Sequence, residues 1–113
     1  LLDPENLSRI WVSPRQRARQ TFELLFANLD ELPPHEICED VREWDHGDYE
    51  GLLYEEIKAK GPGWSIWKNG GPGGESVEAM TKRVDGVIAE VREVHRKYLE
   101  DGEGRRDALI VAH

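Results

Sequence analysis

Three residues capable of phosphoryl-transfer chemistry each occur at the end of a predicted β-strand. Arg17 lies in the first turn of the helix predicted after one strand, Glu43 directly follows a second strand, and His113 ends a third. In an open α/β sheet, ligands bind at the rim formed by the carboxyl ends of the strands. The order of these elements therefore predicts that the three side chains meet at one rim.

An arginine, a carboxylic acid and a histidine at one rim would suit the transfer of a phosphoryl group. Arginine binds phosphate oxygens with a planar fork of donors, and the free amide groups at a helix start add positive potential. A carboxylic acid can protonate a departing alkoxide, and a histidine can donate to the transferred group. Spacing alone also fits a solvated helix arginine, an ordinary loop acid and a structural histidine, so it leaves both interpretations open.

The elements that would position these residues form an α/β pattern. The apolar spacing predicts strands at 9–13, 36–42 and 108–112. It predicts helices from Pro14 to about Asn28, at 52–60 and from Ser76 to about Leu99. Alternating strands and helices favour a three-layer αβα fold with a mainly parallel sheet. Residues 1–113 are predicted to form a single domain that is incomplete at both ends.

Two local patterns give more detailed expectations. Ser13 is predicted to be the N-cap of the first helix, with Pro14 at the first helical position and Gln16 completing a capping box. The apolar run at 108–112 is typical of a strand that is buried on both faces of a sheet. The segment 61–74, rich in glycine, is interpreted as a structured loop because it carries two tryptophans.

Composition excludes several classes of function. The net charge of −8, from 23 acidic and 15 basic residues, disfavours a nucleic-acid partner. The sequence has no apolar run near the roughly 20 residues of a membrane span. Cys38 is the only cysteine, which excludes an intramolecular disulfide and favours a cytoplasmic setting. The four histidines are far apart and lack the spacing of a metal site, and no cofactor is expected.

Four motifs, in order along nearly the whole sequence, resemble the histidine phosphatase (phosphoglycerate-mutase-like) superfamily. Residues 13–21 (SPRQRARQT) resemble its S-P-x-x-R-A-x-x-T segment, and residues 42–51 (REWDHGDYEG) resemble its L-x-E-x-x-x-G-x-x-E-G segment. Residues 73–76 (GGES) are similar to its G-E-S helix start, and residues 110–113 (IVAH) to its V-x-A-H strand. The wording of the second motif is most similar to the fungal sedoheptulose-1,7-bisphosphatase-like branch.

The resemblance implies a phosphatase that acts through a phosphohistidine. Arg17 and His46 would bind the substrate phosphate, Glu43 would be the proton donor, and His113 would stabilise the transferred oxygens. His46 departs from the family, because relatives often carry tyrosine there. The R-H-G motif of the nucleophile is absent from the sequence, which the partial-chain interpretation explains by an upstream segment.

The implied substrate is a small phosphorylated metabolite, such as the sugar bisphosphate sedoheptulose 1,7-bisphosphate. A phosphomutase of the same superfamily is an alternative, although the short 61–74 loop favours hydrolysis over the water exclusion that a mutase needs. A non-catalytic binding protein of the same fold is a second alternative. A homo-oligomer is compatible with each of these hypotheses.

Overall fold

The computed structural model describes residues 2–102 and 104–113. They divide into two compact units, of which the first comprises the chain up to Glu43 together with Val84–His113, and the second comprises Trp44–Arg83. Among the described residues, every helix is too short or too polar to cross a membrane. The assignment of residues 1–113 to a single domain stays a prediction.

The first unit contains a parallel sheet of three strands in the order β2-β1-β3. The strands are β1 (Leu7–Val12), β2 (Glu36–Ile37) and β3 (Asp107–Val111). Val12 is in register with Ile37 on one side and with Val111 on the other. The predicted α/β fold with a parallel sheet is confirmed.

Alternation along β1 directs its side chains to two separate cores, because successive residues of a strand point to opposite faces. Ile10 and Val12 pack with Ala18 and Phe22 of helix α1 (Gln16–Leu25). A bulge between Leu7 and Arg9 shifts the alternation by one residue, which explains why Leu7 joins the same cluster. Helix α1 therefore covers one face of the sheet.

The opposite face carries Trp11, whose side chain is fully buried. Trp11 packs with Val41, Val87 and Val91, and its Nε1 donates to Glu90 Oε2 at 3.2 Å. Val87, Glu90 and Val91 belong to helix α4 (Val77–Asp101). With α1 on one face and α4 on the other, the first unit has the predicted three layers.

Two strands differ from the sequence predictions. β2 covers two residues of the predicted 36–42, and a 3₁₀ turn (Glu39–Val41) occupies most of the rest. That turn buries Val41 against the Trp11 face, which a strand continuing outward would not do. The prediction that 108–112 is buried on both faces is wrong, since Ile110 is 43% exposed in β3, at the edge of the described sheet.

The start of α1 is also two residues later than predicted. Ser13 donates its backbone N–H to the carbonyl of Val111 at 2.8 Å, so it extends the sheet instead of capping the helix. The backbone N–H of Arg15 donates to the Ser13 hydroxyl at a long distance of 3.4 Å. Arg15 is the N-cap residue of α1, and its side chain makes no capping hydrogen bond. The helix ends at Leu25 and not near Asn28.

The second unit is organised around loops. It contains a 3₁₀ turn (Gly47–Tyr49), helices α2 (Tyr54–Lys60) and α3 (Ile66–Asn69), and the first residues of α4. Trp64 packs edge-on against Tyr49 and donates Nε1 to the carbonyl of Gly70 at 3.1 Å. These bonds support the prediction of a structured loop, because they fix the glycine-rich segment from within.

Candidate active site

The carboxyl ends of the three strands are tied together by backbone hydrogen bonds. Ser13, directly after β1, bonds to Val111 at the end of β3, and the N–H of Cys38, directly after β2, donates to Val12 at 2.8 Å. The chain segments that leave the sheet at this rim are therefore fixed at their starting points. Arg17, Glu43 and His113 follow these three exits in turn.

The structure brings Arg17, Glu43 and His113 together. Arg17 Nη2 donates to Glu43 Oε2 at 2.7 Å. His113 Nδ1 lies 3.8 Å from the same oxygen, which is an ion-pair distance if the ring is protonated but is longer than a hydrogen bond. One carboxylate oxygen thus lies between a guanidinium and an imidazole.

These three side chains are open to solvent. The exposed fractions are 55% for Arg17, 36% for Glu43 and 50% for His113. An exposed ion pair is worth about 0–1 kcal/mol, because water screens it. A phosphate group can therefore replace one partner of the Arg17–Glu43 pair at little cost.

The first turn of α1 adds positive potential close to Arg17. Arg17 is the second residue of the helix, where backbone N–H groups lack partners within the helix and the dipole is positive. Its own carbonyl accepts a hydrogen bond from Thr21 Oγ1 at 2.9 Å. This bond fixes the main chain at Arg17 and leaves the guanidinium exposed to solvent.

His46, the fourth predicted site residue, belongs to the second unit. Its Nδ1 lies 2.9 Å from the carbonyl oxygen of Trp44 and 3.5 Å from Glu50 Oε1. Its backbone N–H donates to the same Glu50 oxygen at 2.9 Å. The assignment of His46 to phosphate binding rests on its position in the motif.

The two tryptophans of the 61–74 segment have structural contacts. Trp64 is held by Tyr49 and Gly70 as described above, whereas Trp67 packs edge-on against Trp44 and is 75% exposed. A role for either residue as a wall of the substrate pocket stays a prediction. Across the described residues, no group of three or more histidine, cysteine or acidic side chains is arranged to hold a metal ion.

A buried ion pair in the second unit was missed by the sequence analysis. Glu75 and Arg83 form two hydrogen bonds, of 2.6 and 2.9 Å, with 7% and 8% of their side chains exposed. In the sequence, Glu75 stands out only as part of a helix start. Its separation of eight residues from Arg83 matches no simple helical neighbour pair, so no sequence pattern signals this contact.

The sequence matches a known family over its whole length. The family model described as "Histidine phosphatase superfamily (branch 1)" matches residues 1–113. The chain belongs to this superfamily. The family resemblance that the four motifs indicated is confirmed.

Proteins similar to this chain include named phosphatases. It is 36% identical to sedoheptulose 1,7-bisphosphatase of Saccharomyces cerevisiae, over 99% of the chain and 45% of that protein. It is 37% identical to an acid phosphatase of Mycobacterium tuberculosis, over 89% of the chain and 43% of that protein. The chain therefore spans less than half the length of these curated relatives.

A solved structure agrees with the fold. The structure of an open reading frame from Mycobacterium tuberculosis matches with a TM-score of 0.74 and 34% identity. The match covers 93% of this chain and 48% of that one. The α/β architecture of this chain thus recurs in a solved relative.

Proposed function

We propose that the protein is a phosphatase that hydrolyses phosphate monoesters of a small metabolite through a phosphohistidine intermediate. The observation that carries this proposal is the position of Glu43 Oε2, 2.7 Å from Arg17 and 3.8 Å from His113. A donor fork, an acid and an imidazole around one point provide phosphate binding, proton transfer and charge stabilisation. Membership of the superfamily supports the same chemistry.

Each of the three rim residues takes one role in this mechanism. The substrate phosphate binds to the Arg17 guanidinium and replaces Glu43 there. The phosphate then lies next to the Glu43 carboxyl group, which carries the proton in this mechanism. Glu43 can donate that proton to the departing alkoxide while His113 donates a hydrogen bond to the transferred oxygens.

The second half of the reaction returns the site to its starting state. The phosphoryl group has moved from the substrate oxygen to a histidine nitrogen, and water attacks the phosphorus while the P–N bond breaks. The Glu43 carboxylate accepts the proton of that water. No residue of this sequence is assigned as the nucleophile, because the sequence contains no R-H-G motif.

A sugar bisphosphate is the proposed substrate class. The support is the yeast relative named sedoheptulose 1,7-bisphosphatase, at 36% identity, together with the motif wording at residues 42–51. His46 is proposed as a further contact to the substrate phosphate. A cytoplasmic location is proposed with this substrate class, because the single cysteine fits a reducing compartment.

Release of inorganic phosphate from sedoheptulose 1,7-bisphosphate by the full-length protein tests the proposal. We expect Glu43→Gln and His113→Ala each to lower kcat by about 10²- to 10⁴-fold, the usual contribution of acid–base catalysis. An alcohol leaving group of low pKa, such as p-nitrophenol, needs less protonation, so Glu43→Gln should lose less activity on p-nitrophenyl phosphate. Unchanged turnover in both variants would exclude this mechanism.

Product analysis on 3-phosphoglycerate separates the alternative functions. Free phosphate supports the phosphatase, whereas an isomerised phosphoglycerate would identify a mutase. Absence of both products on every phosphate ester tried, with a folded protein, would identify a binding protein instead.

A further inference from the structure

The buried pair of Glu75 and Arg83 has no part in the mechanism proposed above. Its two short hydrogen bonds join Glu75 Oε1 to Arg83 Nε and Glu75 Oε2 to Arg83 Nη2. Both side chains are over nine-tenths buried. Burying two charges is costly, and proteins offset that cost only with good geometry and further hydrogen bonds. The further bonds of Glu75 indicate what the pair does.

Glu75 holds both backbone groups of Asp45, the residue before His46. Its Oε2 accepts from the N–H of Asp45 at 3.3 Å, and its own N–H donates to the carbonyl of Asp45 at 3.0 Å. Its carbonyl also accepts from Trp44 Nε1 at 3.0 Å. One residue therefore fixes two successive residues on the N-terminal side of His46.

Glycines let the two backbone segments approach closely at this point. A Cβ on Gly71 would overlap the carbonyl oxygen of Asp45, and a Cβ on Gly74 would lie 2.6 Å from the backbone nitrogen of Gly47. The N–H of Asp48 donates to the carbonyl of Pro72 at 2.7 Å. The segment around His46 is thus packed against 71–74 by its main chain, and Glu75 is the charged member of this contact.

The fixed backbone in turn sets the state of the His46 ring. The carbonyl of Trp44, 2.9 Å from Nδ1, can only accept, so Nδ1 carries a proton in this contact. Nε2 is then the nitrogen that can meet a ligand. It accepts from a hydroxyl when the ring is neutral, and it donates to a phosphate oxygen only when the ring carries both protons.

We propose that Glu75, held by Arg83, is a positioning residue that fixes the orientation and tautomer of the His46 ring. The proposal rests on the proposed function, because it takes His46 as a phosphate contact. Glu75 acts through the main chain of Asp45 and the indole N–H of Trp44, and it does not touch the substrate. Loss of the carboxylate would remove the Oε2 hydrogen bond to the Asp45 N–H, next to the Trp44 carbonyl that selects the His46 tautomer.

A double-mutant cycle in the full-length protein tests this coupling. We expect Glu75→Gln and His46→Ala each to lower kcat/KM for sedoheptulose 1,7-bisphosphate by about tenfold or more, mainly through KM, since small displacements of a contact cost 10- to 100-fold. In the His46→Ala background, Glu75→Gln should change kcat/KM by less than about twofold, because coupled residues are not additive. Equal losses in both backgrounds, or no loss with His46→Ala, would overturn the proposal.

A second variant guards against simple misfolding. The double substitution Glu75→Gln with Arg83→Met removes both charges of the pair together, so the protein should stay folded. It should show the same KM effect and the same dependence on His46. The surface variant Glu93→Gln, which removes an exposed partner of Arg96 on the same helix as Arg83, is the matched control and should leave KM unchanged.

A direct measurement of the ring completes the test. The ¹⁵N chemical shifts of His46 should report a proton on Nδ1 in the wild type and a mixture of tautomers in the Glu75→Gln, Arg83→Met variant. An unaltered tautomer in that variant would overturn the proposal.

Glu43→Gln, measured in the kinetic assay with sedoheptulose 1,7-bisphosphate, distinguishes failure of the positioning role from failure of the proposed function. If Glu43→Gln abolishes turnover while the cycle is additive, only the positioning role fails, whereas unchanged turnover in Glu43→Gln removes the proposed function itself.

Discussion

The two units each contain an arginine–glutamate pair of nearly equal length in very different surroundings. Arg17 and Glu43 are 2.7 Å apart and 55% and 36% exposed, whereas Arg83 and Glu75 are 2.6 Å apart and 8% and 7% exposed. Water can replace either partner of the first pair, but neither partner of the second. We therefore expect the exposed Arg17 to be able to bind a ligand in place of Glu43, and the buried Glu75–Arg83 pair to stay intact and hold the backbone next to it.

This contrast predicts opposite effects on activity and stability. Changes at the exposed pair should alter catalysis and leave unfolding nearly unchanged. Changes at the buried pair should alter unfolding strongly and catalysis less.

Removal of the exposed arginine should give the largest loss of activity. We expect Arg17→Ala to lower kcat/KM by about 10²- to 10³-fold, the usual cost of a lost donor to the developing charge. Arg17→Lys should recover little of this loss, because lysine lacks the planar fork that binds two oxygens. Steady-state phosphate release measures the effect. Full recovery with lysine would show that charge alone, and not bidentate binding, is needed.

Truncation of one partner of the buried pair should give the largest loss of stability. Glu75→Ala leaves the Arg83 guanidinium buried without its carboxylate, which costs about 3–5 kcal/mol in the free energy of unfolding. Denaturant unfolding of the full-length protein measures it. The double variant Glu75→Leu with Arg83→Met should be much closer to the wild type. A double variant as unstable as Glu75→Ala would mean that the pair itself, and not the orphaned charge, carries the stability.

The close backbone contact beside the buried pair should be sensitive to a single methyl group. Gly71→Ala places a Cβ on the carbonyl oxygen of Asp45, and such overpacking costs about 1–3 kcal/mol. Gly86→Ala is the matched control, because Gly86 lies within α4 and, apart from its chain neighbours and the nearby helix backbone, no heavy atom lies within 4 Å of its Cβ position. That substitution should stabilise the protein by about 0.5–1 kcal/mol through helix propensity. Thermal unfolding with both variants checks the opposite signs.

The exposed pair was within reach of sequence analysis, and the buried pair was not. Arg17, Glu43 and His113 each follow a strand, and a parallel sheet brings the carboxyl ends of its strands to one rim. The proximity of these three side chains therefore follows from the positions of the strands, which the spacing of apolar residues in the sequence predicts. Glu75 and Arg83 meet because the chain turns at the start of α4, and a separation of eight residues matches no simple helical neighbour pair.

Two predictions from local sequence, the start of α1 and the length of β2, were wrong because tertiary contacts determine both. Ser13 has the residue type of an N-cap, but its N–H bonds to Val111, so the helix begins later, at Gln16. Residues after Ile37 include β-forming types, yet Val41 turns into the core against Trp11. Both differences follow from partners distant in sequence, which a single-sequence pattern does not contain.

The smallest expected effect is the coupling energy of the exposed pair in unfolding. A double-mutant cycle with Arg17→Ala and Glu43→Ala should give a coupling of about 0–1 kcal/mol, because both side chains of the pair are more than a third exposed and water screens their charges. The equivalent cycle at Glu75 and Arg83 should give several kcal/mol, because each single variant there leaves a buried charge. Raising the salt concentration from 0.1 to 1 M shortens the Debye length from about 10 to about 3 Å, and should reduce only the first coupling. A coupling at Arg17 and Glu43 that matches the buried pair, and resists salt, would mean that this glutamate is structurally locked. A substrate phosphate could then not take its place on the arginine.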